Sequence, residues 1–300
     1  MTPVILDIFV ASFFDAVLPD GLRTLGRVLV VLLIVNGIML AVAGWFLVGR
    51  ERLSTLRVSA VDRLRDRWPP LALLGGALVA NALLRDLTPE LSLIVGWNAT
   101  GAIYNIEGDL ILYVQAIQTP ELTAYFGFMY VFGYVFLLTF PLLAYFALAD
   151  PRPLRITAYA YALNYVLGLM VYVMVVAYGP RNLIPDVAPL LYTTYPETQL
   201  LTTEVNTNTN VFPSLHTSLS VTAALLAWKT REQFPAWLPI AALFAASITF
   251  STMYLGIHWA IDVVAGIVLA AVSVRGAELI QEWTENRESG SGNVAETLSD

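Results

Sequence analysis

Long apolar runs alternate along the chain with short connections in which arginine collects, a pattern that predicts a bundle of membrane-spanning helices. The first run, 28–48, ends at Arg50, Arg52, Arg57, Arg63, Arg65 and Arg67. These six arginines lie in one short amphipathic connection and outweigh Arg23 and Arg27 ahead of the run, which puts the connection on the cytoplasmic side by the positive-inside rule. Residues 69–84 return outward, a short run for a bilayer that usually takes roughly 20 residues. From 85 to 119 the apolar pattern is broken by Glu107 and Asp109, as in helices that lie at the outer interface rather than cross it; Asn98-Ala99-Thr100 there has the form of a glycosylation sequon.

Residues 122–148 form an aromatic-rich span closed by Asp150, Arg152 and Arg155, and 156–178 run back out to Gly179-Pro180-Arg181-Asn182. A polar connection rich in Thr, Asn and Pro leads to Asn210. Pro213 opens the next span at a place where proline is tolerated, the first helical turn, and Lys229 and Arg231 close it on the inside. Residues 237–250 run out, 251–258 turn, and 259–274 run back to Arg275. Every basic connection falls on one side, so parity gathers Arg181, Ser214, His216, Ser251, His258 and Asp262 on the outer face. The first 20 residues are apolar, carry Asp7 and Asp15 and lack a basic n-region, which predicts that 1–27 is an interfacial or re-entrant segment rather than a signal peptide. Residues 28–120 are read as N-terminal spans plus the outer amphipathic segment, 121–280 as the membrane-embedded core, and 281–300 as an acidic tail whose Gly/Ser/Glu content predicts disorder from Asn286. There is no internal repeat.

Composition agrees: 57% hydrophobic and 13% charged residues, with a mean hydropathy of +0.68, describe an all-α polytopic membrane protein rather than a soluble domain. With no cysteine, disulfides, thiolate catalysis and cysteine-held metals are excluded. A net charge of −7 disfavours nucleic acid as a partner.

The chain has two histidines. His258 and Asp262, four residues apart at the mouth of an apolar helix, share one helix face. A carboxylate there can take one imidazole N–H, fix the tautomer and leave the other nitrogen free to attack. His216, in Phe212-Pro213-Ser214-Leu215-His216, would be the matching general acid. Phosphoryl transfer suits such a pair, one histidine attacking phosphorus while the other protonates the departing oxygen. Ser214, the helix start at Pro213 and Arg181 would hold the non-bridging oxygens, and Ser251 would line the site. Two other chemistries use the same residues. Two histidines and an aspartate are also zinc ligands by type, although zinc gives no reason for the Pro-Ser-x-His context. An intramembrane His/Asp pair also serves as a proton relay in transporters, which predicts inverted repeats that this sequence lacks.

Pro213-Ser214-Leu215-His216 followed by Ser251-x6-His258-x3-Asp262 resembles the second and third signature motifs of the type 2 phosphatidic acid phosphatase superfamily, Pro-Ser-Gly-His and Ser-Arg-x5-His-x3-Asp. The resemblance implies a six-helix membrane core, no metal or other cofactor, and a phosphohistidine intermediate at the outer face of the cell membrane. It assigns His258 as nucleophile, Asp262 as its orienting partner, His216 as acid/base and Ser214 as a phosphate ligand. Leu215 stands at the family's glycine, Thr252 at its third-motif arginine, and Met174 and Asn182 at the lysine and proline of its first motif, Lys-x6-Arg-Pro, of which Arg181 remains. The Pro-Ser-Leu-His wording is similar to the inositol phosphorylceramide synthase branch, which transfers a phosphorylated head group from one lipid to another alcohol. The expected substrate is a lipid phosphoester or diphosphate, and the acceptor is water, a polyol or a lipid alcohol. The missing cations leave a third expectation, a lipid-phosphate binder without turnover.

Overall fold

The computed structural model describes residues 20–84, 87–194 and 211–297. Helix dominates, because a backbone without water around it must close its hydrogen bonds internally. The first helix, α1 (Asp20–Ala43), runs on through a π-helical turn, Gly44–Val48, and is followed by α2 (Arg50–Leu84), α3 (Thr88–Val95), the two-residue strand β1 (Trp97–Asn98), α4 (Thr100–Glu107) and α5 (Leu110–Gln115). The long helix α6 (Pro120–Phe146) contains a second π-helical turn, Met129–Gly133. Then come α7 (Arg152–Met174), β2 (Val175–Val176), the short α8 (Pro180–Leu183) and α9 (Leu190–Thr194), and finally α10 (Leu215–Lys229), α11 (Trp237–Tyr254) and α12 (Ala260–Thr297). Among the described residues five helices, α1, α6, α7, α11 and α12, are long and apolar enough to cross a bilayer, or six if α2 and α3 make one span. The fold is all-α and polytopic.

At the centre lies α10, packed against α6, α7, α11 and α12. Its 15 residues reach about 22 Å at the α-helical rise, less than the ~30 Å of a hydrocarbon core. Enclosed by longer helices, it has little lipid to match. Its buried positions include Thr217, Ser218, Ser220, Thr222, Ala223 and Ala227, small side chains that let helix backbones approach where lipid removes the usual hydrophobic drive. Asn164 of α7 grips this stripe, donating to Thr222 Oγ1 at 3.1 Å and accepting from the Ser218 hydroxyl. On the other side α12 comes so near at Gly266 that a Cβ would stand 2.6 Å from the Ser214 carbonyl oxygen.

The arginine-rich connection is in fact the first half of a helix: 50–67 and 69–84 form α2 without a break, with Pro69 and Pro70 inside it. Buried Arg67 donates from Nη1 to the carbonyls of Phe146 (3.1 Å) and Leu148 (3.0 Å) and from Nη2 to that of Ala149 (2.9 Å), and Arg63 reaches Phe146 and Leu148 as well. These carbonyls are the orphan acceptors that follow a helix C-terminus, so α2 is held as a strut against the end of α6. The tail from Asn286, expected to be disordered, continues α12 to Thr297. Extending a formed helix avoids the nucleation cost that a free segment would bear. Helix α1 begins at Asp20, inside the segment expected at the interface, while 1–19 and 298–300 lie outside the described residues, as does 195–210 of the polar connection. The parallel pairing of β1 with β2, Trp97 opposite Val175 and Asn98 opposite Val176, is too short to have a periodic signature. It joins the 88–107 segment to the end of α7.

Candidate active site

The turn between α11 and α12 presents the first histidine. Gly256 closes α11 at φ 71°, and a Cβ there would stand 2.7 Å from Val187 Cγ1, so both conformation and space call for glycine. The N–H groups of Ile257 and His258 both donate to the Thr252 carbonyl at 3.0 Å, which folds the chain back and buries His258 to 2% exposure. Its Nδ1 lies 3.3 Å from Asp262 Oδ2, longer than a tight charge-assisted bond, as is common before substrate is bound. The same Oδ2 accepts the Trp259 N–H at 2.9 Å, while Oδ1 is buried with no partner among the described residues. With Nδ1–H directed at Asp262, the lone pair of His258 is on Nε2.

The second histidine comes from the start of α10. Ser214 is its N-cap: Oγ accepts the Thr217 N–H at 3.3 Å, and the Ser214 N–H donates to the backbone carbonyl of Asp262 at 3.0 Å, tying the two motifs together. Leu215 is turned away from the site into α7, where a Cβ on Gly168 would stand 2.6 Å from its Cδ2; the bulk that replaces the family's glycine is absorbed by a glycine on the neighbouring helix. His216 lies between two tyrosines of α6, with ring centroids 4.3 Å from Tyr130 and 4.3 Å from Tyr134, at interplanar angles of 17° and 36°. Two phenol rings that close and that near parallel cannot share one face of an imidazole, so each takes one face. The π-helical turn Met129–Gly133 falls at this pair, and such turns often mark functional positions in otherwise regular helices.

Arg181, in α8, completes the set. Its N–H donates to the Gly256 carbonyl at 3.2 Å, two residues before His258, and its guanidinium lies over the Tyr192 ring at 4.8 Å. Close approach at Gly179, where a Cβ would stand 2.5 Å from the Ile257 carbonyl oxygen, lets α8 sit against the His258 turn. Nη1 of Arg181 is buried with no hydrogen-bond partner among the described residues, a donor placed for an anion. Met174, at the position of the family's lysine, is 65% exposed at the end of α7.

Thus His258, Asp262, Ser214, His216 and Arg181 come together. Ser251 is buried in α11, where Oγ donates to the Ile248 carbonyl of its own helix at 2.7 Å and its backbone carbonyl accepts the Leu255 N–H. Among the described residues no three His, Asp or Glu side chains cluster as metal ligands.

Several residues around the site had no role in the motif reading. Tyr130 and Tyr134 read only as members of an aromatic-rich span. Tyr172 donates from its hydroxyl to the Pro213 carbonyl at 3.2 Å. Gln115 accepts the Ala188 N–H and donates to the carbonyls of Ala188 and Tyr254, each at 2.9 Å, fastening α5 to the segment behind Arg181 and to the end of α11. Glu107 accepts the N–H groups of Ala260 (2.9 Å) and Ile261 (2.5 Å). Its signal was an acid in the middle of an apolar run.

A family model described as the PAP2 superfamily matches residues 103–275, more than half of the chain. No curated protein and no solved structure matches it.

Proposed function

Since the chain belongs to the PAP2 superfamily, we propose that it is a membrane-embedded lipid phosphotransferase or phosphatase that works through a phosphohistidine on His258. The observation that carries this reading is the buried His258–Asp262 pair, tied by the Ser214–Asp262 backbone bond to the start of the His216 helix, with Arg181, whose Nη1 is unpaired among the described residues, bonded to the same turn. In the first step Nε2 of His258 attacks phosphorus in line, the bond to the leaving oxygen breaks, and His216 gives that oxygen its proton. In the second, His216 takes the proton of an incoming hydroxyl, whose oxygen attacks the phosphohistidine and frees His258. Asp262 holds Nδ1–H and stabilises the positive charge that develops on the ring.

Charge on the non-bridging oxygens is met by Arg181 and by the start of α10, so the scheme calls on no metal. A helix N-terminus attracts anions, and the two nearby N-termini differ. That of α12 already faces the carboxylates of Asp262 and Glu107, whereas that of α10 has, among the described residues, the Ser214 hydroxyl. The phosphoryl group belongs at α10. A face sandwich on His216 leaves its ring edge as the route for the proton.

The single guanidinium and the Leu215 seated on Gly168 support the alcohol-transferring branch, with a polyol or lipid alcohol as acceptor. The site lies at the opposite end of the bundle from the arginine-rich end of α2, which supports an extracytoplasmic active site by the positive-inside rule. Purified protein given a labelled lipid phosphoester or diphosphate, with and without an added polyol or lipid alcohol, tests the reading by its products. The label moves to the alcohol or to water, and His258→Ala stops both. Turnover that survives His258→Ala overturns the mechanism.

A further inference from the structure

The N-terminus of α12 lacks the usual cap. Trp259 stands at the N-cap position, a residue with no acceptor to offer the first N–H groups of the helix. Asp262, at the third helical position, reaches back to the Trp259 N–H, as the acid of a capping box does. The next two N–H groups, those of Ala260 and Ile261, are taken by Glu107, which lies 153 and 154 residues away in the chain. Glu107 supplies the missing half of the cap.

The same helix, α4, makes two further contacts with the site. Tyr104 packs edge-on to Trp259 with centroids 6.2 Å apart, and Thr100 Oγ1 accepts the Tyr178 N–H at 3.1 Å. Trp259 Nε1 in turn donates to the Tyr178 carbonyl at 2.8 Å. α4 therefore clamps both the His258–Asp262 turn and the chain leading to Arg181. Without Glu107, two part-buried N–H groups would stand open in the same turn as Asp262. The Asp262 carboxylate is then the nearest acceptor, with Oδ1 already unpaired, and satisfying those groups would rotate it away from His258.

We propose that Glu107 is a positioning residue for His258: by taking the Ala260 and Ile261 N–H groups it keeps Asp262 from being drawn further into the cap than its bond to the Trp259 N–H and so leaves that carboxylate aimed at Nδ1–H of the imidazole. The inference rests on the reading of His258 as nucleophile, but its geometric half is tested without turnover. With only two histidines in the chain, a His216→Ala background leaves His258 as the sole histidine signal, and ¹⁵N-histidine NMR in lipid reports its tautomer directly. The parent shows Nδ1 protonated and Nε2 bare. Adding Glu107→Ala gives a mixed tautomer, whereas adding Ile103→Ala, which removes buried packing from the same helix, lowers thermal stability and leaves the tautomer as it was.

In the protein with both histidines, Glu107→Ala lowers kcat on the order of 100-fold, the scale of a misplaced catalytic group, and changes KM by less than about 3-fold. Glu107→Gln, whose amide oxygen still accepts one bond, recovers about 10-fold of the loss in kcat. An unchanged tautomer in Glu107→Ala, or an equal change in Ile103→Ala, overturns the proposal even if the enzyme turns over. A tautomer change in a protein that transfers no phosphate upholds the positioning and overturns the catalytic reading alone.

Discussion

Arg67 and Arg181 stand at opposite ends of the same bundle and show what an arginine can be for. Nη1 and Nη2 of Arg67 are spent on three backbone carbonyls beyond α6, and its side chain is buried among its own acceptors. Arg181 is tied to the His258 turn by its backbone and to Tyr192 by its face, yet keeps a buried Nη1 without an acceptor. Both tip nitrogens of Arg67 are spent on the backbone, which makes it a strut, although its Nε has no partner among the described residues; at Arg181 it is a tip nitrogen that is left without one. The same contrast runs through the carboxylates: Glu278 and Glu285 pair with Lys229 and Arg152 at the arginine-rich end, while Asp262 keeps a buried oxygen free at the other.

Exchanging the two arginines for alanine breaks this comparison most severely. Arg181→Ala is expected to lower kcat/KM by 10²–10³-fold, the usual scale for losing one oxyanion-stabilising donor, about 3–4 kcal/mol, with thermal stability nearly unchanged. Arg67→Ala should do the reverse, costing about 1–3 kcal/mol of stability as the Phe146 and Leu148 carbonyls are left to Arg63 and that of Ala149 loses its donor, while the folded fraction keeps its KM. Matching losses in both assays for both variants would erase the distinction. The pH profile is the next test, since His258 attacks as neutral imidazole and His216 donates as imidazolium. Protonating His258 removes the attacking lone pair and deprotonating His216 removes the acid, so the rate should fall at both ends of the pH range. A flat rate between about pH 5 and 9 would remove the histidines from proton transfer.

The smallest expected effect comes from packing. Gly266→Ala drives a Cβ toward the Ser214 carbonyl and should cost about 1–3 kcal/mol, measured by thermal unfolding, because backbone rather than a flexible side chain must yield. A difference below about 0.5 kcal/mol would mean that α10 and α12 are less closely joined than described.

How much of this was legible in the sequence follows from the reach of each interaction. Five of the spans were readable because lipid demands long apolar runs, whereas 213–228 proved to be the short α10 and 69–84 the second half of α2; the His/Asp spacing was readable because four residues return a helix to the same face. Leu215 looked like a fault in the motif until Gly168 on another helix accounted for it. The π-helical turn that brings Tyr130 and Tyr134 to His216 leaves no mark in an aromatic-rich run. Glu107 interrupts such a run visibly, yet what it does depends on a Trp at an N-cap about 150 residues later. The arginines of α2 were correctly read as gathered at one end, but counting charge said nothing of the carbonyls they would meet, so a helix was taken for a connection.

The most direct test of the central claim is to trap the phosphoenzyme. Purified protein is exposed to labelled lipid phosphoesters and diphosphates, denatured, and examined for acid-labile label in wild type, His216→Ala and His258→Ala. The account predicts label on the wild type, persistent label on His216→Ala, whose intermediate lacks its base, and none on His258→Ala. Label that is indifferent to His258, or turnover that passes through no labelled protein, would contradict it.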